Sequence, residues 1–179
     1  MRIAIVSQSD NPWTAPYARG FLAAGHAVRV FSYNADPIEG IEVVALRGKR
    51  PAWIPREIWF AMVLPRLQSA LRKFAPDVVF SPYVSSNGVT TALVWKGPRV
   101  VSARGSDVNP GADGRYPTWP WLHRRLVRLA CNGAKGLHAV SEELAERVAA
   151  CGVDRTRIEC FPLGVDLRRF PPAGEGSGG

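Results

Sequence analysis

Arg104-Gly105-Ser106-Asp107 sets a permanent cation, a residue without a Cβ and a carboxylate within four positions. A guanidinium grips a phosphate or carboxylate through two parallel hydrogen bonds, yet it cannot shuttle a proton at neutral pH. The same four residues admit a second reading, an Arg104–Asp107 ion pair that braces the loop. Ser9, Asp10 and Asn11 bring hydroxyl, carboxylate and amide groups that suit a phosphate, or equally an Asx-type cap for a following helix. Tyr83, Ser85, Ser86 and Asn87 form another polar cluster, suited to sugar or polyol hydroxyls and also to a helix entry. Ser141-Glu142 is explained by a helix cap alone. His26 and His138 are expected to be structural, since lone histidines at a strand start or inside a strand usually are. The chain shows no Ser/His/Asp order, no paired-carboxylate spacing and no P-loop.

The elements that must hold these groups alternate. Ile3 to Ser7 is a continuous apolar run, the pattern of a strand buried on both faces of a parallel sheet. Ala15 to Ala24 reads as a helix, with Thr14 as N-cap candidate and Gly25 as its stop, and His26 to Tyr33 returns as a strand. Further strands are expected at Ile41 to Leu46, Asp77 to Phe80, Arg99 to Ala103, Gly136 to Val140 and Arg157 to Phe161. Helices are expected over Arg56 to Phe74, which Pro65 should kink or split, Gly88 to Lys96, Trp119 to Cys131, and after Ser141. Seven strands alternating with helices predict an α/β class: a doubly wound, mainly parallel, Rossmann-like sheet. Ligands of such sheets bind beyond the carboxyl ends of the strands, which is where the polar clusters fall.

Two pieces of the C-terminal part carry a family likeness. Val140-Ser141 ends a small-residue strand and enters a helix. Downstream, Ile158, Pro162, Gly164, Val165, Asp166 and Phe170 punctuate the sequence as I-x-x-x-P-x-G-V-D-x-x-x-F. Together they resemble the family-4 (group 1) glycosyltransferases, retaining enzymes of the GT-B fold that need no metal. The resemblance implies that residues 1–171 form the acceptor-side, N-terminal domain and that 172–179 are a flexible linker or tail. It implies a nucleotide-sugar donor and a sugar, polyol or lipid-linked acceptor. It also implies that the chain is incomplete, and inactive alone, without a donor-binding C-terminal domain. Residue by residue, it places Ser9, Asp10, Asn11, Arg104 and Gly105 toward donor phosphates. It places Tyr83, Ser85, Ser86, Asn87 and Asp107 toward the acceptor. The first loop departs from the family in lacking a glycine pair, and Arg104 stands where many members have histidine.

Composition sets the outer bounds. With 46% hydrophobic and 21% charged residues in 179, the chain is an ordinary globular domain with a real core. A net charge of +8 favours anionic partners. Its clusters are Arg47-Gly48-Lys49-Arg50, His123-Arg124-Arg125 and Arg168-Arg169. No groove-reading motif accompanies them, so nucleic acid is the weaker alternative; a free-standing binding module without catalysis is the other. Three cysteines without C-x-x-C spacing point away from a disulfide framework or zinc site and toward a reducing, cytoplasmic compartment. The aromatic, amphipathic stretch from Trp53 to Phe74 fits either an anionic membrane surface or a helix that covers one face of the sheet, the latter being favoured.

Overall fold

The computed structural model describes residues 1–34, 36–46, 51–108 and 120–164, without the side chains of 56, 57 and 59–61. Seven strands form one all-parallel sheet: β1 (Arg2–Val6), β2 (Ala27–Ser32), β3 (Glu42–Ala45), β4 (Val78–Pro82), β5 (Arg99–Ala103), β6 (Gly136–Ala139) and β7 (Ile158–Cys160), in the order β3-β2-β1-β4-β5-β6-β7. The order reverses between β1 and β4, the switch point at which doubly wound sheets open a crevice. Among the described residues, five α-helices connect the strands: α1 (Thr14–Ala23), α2 (Arg56–Phe74), α3 (Val89–Val94), α4 (Pro120–Cys131) and α5 (Glu142–Ala150).

Alternation along the strands divides the core. Ala4 and Val6 of β1 join Phe31, Val79 and the α2 residues Val63, Leu67 and Leu71, all fully buried. Farther along the same side, Val101, Ala103, Leu137 and Ile158 pack on α4 and α5 through Val127, Ala130, Leu144 and Val148. Ile3 and Ile5 point the other way and meet Val30, Phe80 and, from α1, Ala18, Tyr17 and Phe21. Registers Phe80↔Val100 and Ser102↔His138 extend this second face across β4 to β6. Beyond α1 it forms an apolar groove of ≈ 410 Å³ lined by Ile3, Tyr17, Phe21, Phe80, His138 and Phe161, among others.

Two local expectations are corrected. Thr14 is the first residue of α1 rather than its cap: its hydroxyl donates to the Gln8 carbonyl at 2.7 Å, so the Ser7 hydroxyl must be the donor in the 2.8 Å Ser7–Thr14 bond. Pro65 does not split α2, which runs unbroken for 19 residues. Pro65 is exposed, and the burial of Val63, Leu67 and Leu71 on the opposite side outweighs one missing backbone donor.

The buried Arg99 has partners that explain it. Arg99 donates to the carbonyls of Ala130 and Asn132, where it closes the end of α4. Burial pulls its pKa down from the usual arginine value. Cys131 and Cys151 lie in the core and Cys160 is half-buried; all three are free. Among the described residues no helix is long and apolar enough to cross a membrane.

Candidate functional site

Loops after β1, β4 and β5 converge at the carboxyl edge beside the switch point. The loop after β1 is held from below: the Ser9 N–H donates to Ser32 Oγ at 2.8 Å, and that hydroxyl donates on to Ser9 Oγ. Ser9 is therefore buried, whereas Asp10 is exposed. Asn11 does two jobs. Its Oδ1 accepts from the Trp13 N–H at 3.1 Å, an Asx turn into α1, and its Nδ2 donates to the Tyr83 hydroxyl at 3.1 Å. That second bond ties the β1 loop to the β4 loop across the crevice.

Tyr83 leaves β4 with φ 73°, a conformation that costs a bulky residue about 1–3 kcal/mol unless its surroundings impose it. Here they do. The Tyr83 N–H donates to the Ser102 carbonyl at 2.9 Å, and the Tyr83 carbonyl accepts from Gly88 at 3.0 Å. The chain then makes one π-turn, Val84–Gly88, directly into α3. Gly88 lets that turn pack closely, since a Cβ there would lie 3.0 Å from a Val101 methyl and 3.2 Å from Ala130 Cβ and would press its neighbours aside by a few tenths of an ångström. Ser86 stays exposed and Ser85 half-buried. Asn87 is buried and donates to the Pro82 carbonyl at 2.7 Å, so it braces the turn instead of facing an acceptor.

The loop after β5 supplies the charges. Asp107 is 1% exposed, and its carboxylate accepts from the backbone N–H of Val84 at 2.6 Å, Gly105 at 2.9 Å and Arg104 at 3.0 Å. Burial pushes its pKa up, and these hydrogen bonds pull it back. The carboxylate thus knots the β4 and β5 loops together and has no face left for an acceptor hydroxyl. Gly105 at φ 137° occupies backbone space that other residues avoid.

Asp107 forms no ion pair with Arg104. The guanidinium instead lies over the Tyr17 ring, 4.6 Å from its centroid, and 5.9 Å from that of Tyr83. Its three nitrogens are withdrawn from solvent and have no hydrogen-bond partner among the described residues. Cation–π contact repays part of that isolation, about 0.5–2 kcal/mol, but satisfies none of the five N–H donors. An anion admitted beside the rings could engage two of those donors through paired oxygens.

His138 sits beside this cage as a structural residue. Its Nε2 lies 2.8 Å from the Phe161 carbonyl, which can only accept, so Nε2 carries the proton and Nδ1 accepts from Ser102 Oγ at 2.8 Å. Phe161 stacks on the ring at 3.8 Å. Burial, more than anything else, lowers the His138 pKa, with Arg104 adding to the effect. Ser141 accepts from the Leu144 N–H and caps α5. His123 turns inward from its basic neighbours on α4 and is buried near Asp107, its pKa also lowered by burial. No group of three His, Cys, Asp or Glu among the described residues could hold a metal ion.

Tyr17 is the member of the site that sequence reasoning missed. It stands in the first turn of a helix, and nothing in its spacing marks it as the platform for Arg104. Asn11 and Tyr83, by contrast, were singled out from their loops, though not their mutual bond. The clusters Arg47–Arg50 and Arg168–Arg169, the motif positions Val165, Asp166 and Phe170, and the expected tail lie outside the described residues.

Residues 16–169 match the family model described as Glycosyltransferase Family 4. No curated protein matches the chain. Solved structures share the fold at low identity. HepE of Anabaena, in complex with UDP and glucose, is 15% identical with a TM-score of 0.67, over 94% of this chain and 46% of HepE. Sucrose-phosphate synthase of Thermosynechococcus elongatus is 15% identical with a TM-score of 0.68, over 94% of this chain and 49% of the synthase. UDP-GlcNAc 2-epimerase of Methanocaldococcus jannaschii is 14% identical with a TM-score of 0.61, over 89% of this chain and 45% of the epimerase. The chain therefore spans about half the length of each. The fold by itself does not separate transferases from epimerases; the family match places the chain among the former by family.

Proposed function

The chain belongs to glycosyltransferase family 4, and from that premise we propose that it is the acceptor-side half of a retaining, metal-independent transferase that moves a sugar from a nucleotide-sugar to an acceptor hydroxyl. The observation that carries this reading is the Arg104 guanidinium, buried at the carboxyl edge of the sheet without a hydrogen-bond partner among the described residues. In the proposed arrangement Arg104, with the Gly105 backbone beside it, takes a phosphate of the donor. Asp10 and Asn11 line the adjoining loop, and Ser9 holds that loop in place. Tyr83 keeps its own O–H free to donate while it accepts from Asn11, so it can meet an acceptor hydroxyl together with Ser85 and Ser86. Asn87 and Asp107 act behind them as braces.

Most donor contacts would come from a second domain facing this edge, so the chain alone is expected to bind weakly and turn nothing over. The test is titration of the purified chain with UDP and UDP-glucose, alongside an assay for sugar release. Weak saturable binding that Arg104→Ala abolishes, with no turnover, is the expected result. Turnover by this chain alone would refute the division of labour, and binding indifferent to Arg104→Ala would remove the phosphate contact.

A further inference from the structure

A second cavity opens at the amino edge of the sheet, where α3 and α4 end and the chain turns into β5 and β6. It measures ≈ 250 Å³, and its lining includes Ala92, Trp95, Lys96, Arg99, Leu129 and Asn132, with no acid among them. Arg99 and Arg104 stand at opposite ends of the five-residue strand β5, so the cavity lies about 16 Å from the Arg104 site. Arg99 is 6% exposed. Two of its N–H donors go to the carbonyls of Ala130 and Asn132, at 2.9 and 2.7 Å. Those oxygens hold the guanidinium in place but carry no net charge, and no carboxylate among the described residues pairs with it. Lys96 adds a second, exposed cation to the lining. Trp95 adds a neutral donor. Its indole lies against Gly97, where a Cβ would come within 2.6 Å of Nε1. That N–H is withdrawn from solvent and has no hydrogen-bond partner among the described residues.

A buried cation without a counter-charge and a buried donor without an acceptor, side by side at one opening, mark a place the protein alone leaves incomplete. We infer that this cavity binds a small organic anion, its carboxylate or phosphate held by Arg99 and Lys96 and its apolar body resting on Trp95, Ala92 and Leu129. The carbonyls at the end of α4 would repel such a group, but those of Ala130 and Asn132 are turned onto Arg99 and already engaged. Size narrows the class. A cavity of ≈ 250 Å³ holds about eight to ten non-hydrogen atoms, which excludes a nucleotide-sugar and admits a molecule such as benzoate. A bare inorganic anion would leave the indole and the Leu129 side chain, 39% exposed, without a role. A neutral molecule would leave both cations without one. The inference rests on no part of the sugar-transfer reading, since the cavity shares no residue with the Arg104 site.

The experiment follows the indole N–H resonances of the six tryptophans in the isotope-labelled full chain while benzoate is added at constant ionic strength. Trp95→Phe assigns the Trp95 signal, and because the indole lines the cavity an occupant must move that signal. A saturable shift with a dissociation constant of about 1 mM is expected. Benzyl alcohol, which keeps the ring and drops the charge, should be about tenfold weaker at this signal, and so should inorganic phosphate. Lys96→Gln should cost about fivefold and Leu129→Ser about threefold in affinity for benzoate. Both positions are exposed, and unchanged thermal unfolding will verify that the variants fold. Arg99 stays intact, because its loss would open the end of α4. Arg104→Ala should leave the titration unaltered, which separates this cavity from the proposed phosphate contact. Three outcomes overturn the inference: a Trp95 signal that benzoate does not move, benzyl alcohol or inorganic phosphate binding as well as benzoate, or an affinity that neither Lys96→Gln nor Leu129→Ser changes. A shift abolished by Arg104→Ala would assign the anion to the opposite edge and sink it as well.

Discussion

Arg104 and Asp107 stand three residues apart on one loop, and the fold treats their charges in opposite ways. Asp107 is buried with three described backbone donors aimed at it. The Arg104 guanidinium is packed between two tyrosines, and none of its donors meets an acceptor among the described residues. A folding chain satisfies the polar groups it withdraws from water. The saturated acid is therefore part of the scaffold, and the unpaired base is the group proposed to take a ligand. Loops that carry function on a rigid support commonly divide labour in this way.

The contrast is sharpest in stability. Asp107→Ala should destabilise the fold by about 3–5 kcal/mol, because it strands buried N–H groups in both loops. Denaturant unfolding of this variant is the check, and a loss under about 1 kcal/mol would place the acid outside the scaffold. Tyr83→Phe keeps the ring against Arg104 but leaves the Asn11 amide without its acceptor, at an expected cost of about 1 kcal/mol by the same measurement. Arg104→Ala should change stability by less than about 0.5 kcal/mol, since it removes a buried charge that no protein group pairs, while phosphate affinity disappears. Arg104→Lys should restore that affinity only in part, for want of the planar fork. A large destabilisation by Arg104→Ala would break the comparison outright.

Acid offers the mildest test. Burial lowers the pKa of both His123 and His138 from 6.5, so each is held neutral in the fold. Below pH 6.5 the unfolded chain binds protons that the folded chain refuses. Their contribution is complete above that value and is lost as the pH falls toward the lower, folded one. The melting temperature should accordingly drop between about pH 7.5 and about pH 5.5, and less so in His138→Gln. Asp107 acts in the opposite sense closer to its own range, because its raised pKa lets the fold take up a proton before the unfolded chain does.

The sequence made the sheet legible. Continuous apolar runs such as Ile3 to Val6 and Val78 to Phe80 belong to strands buried on both faces, and Gly25 marks where α1 stops, whereas α2 ends at Ala75 without a glycine. Arg104 was legible as a cation at a carboxyl edge, but its partner was not. Whether Asp107 pairs with a guanidinium or with backbone amides depends on where the Val84 N–H comes to rest, and the π-turn that brings it there follows from Tyr83 adopting a φ that tyrosine avoids. Likewise Asn87 and Tyr83 look equally fit for a ligand in sequence. Only packing sends one inward to the Pro82 carbonyl. Pro65 misled for a related reason, since its helix is held by the residues on its far side.

The three free cysteines make the molecule its own reporter of opening. The Cys131 thiol is buried, which pushes its pKa up to about 12, so at neutral pH almost no thiolate exists for a reagent to meet. Cys151 is buried in the same cluster and shifted the same way. Cys160, at the last strand, is within partial reach of solvent. Alkylation should therefore occur in two phases. Cys160 reacts from the native state, whereas Cys131 and Cys151 wait for the layer formed by α4 and α5 to lift from the sheet. The interval between the phases measures how often that layer lifts, with no label added to the chain.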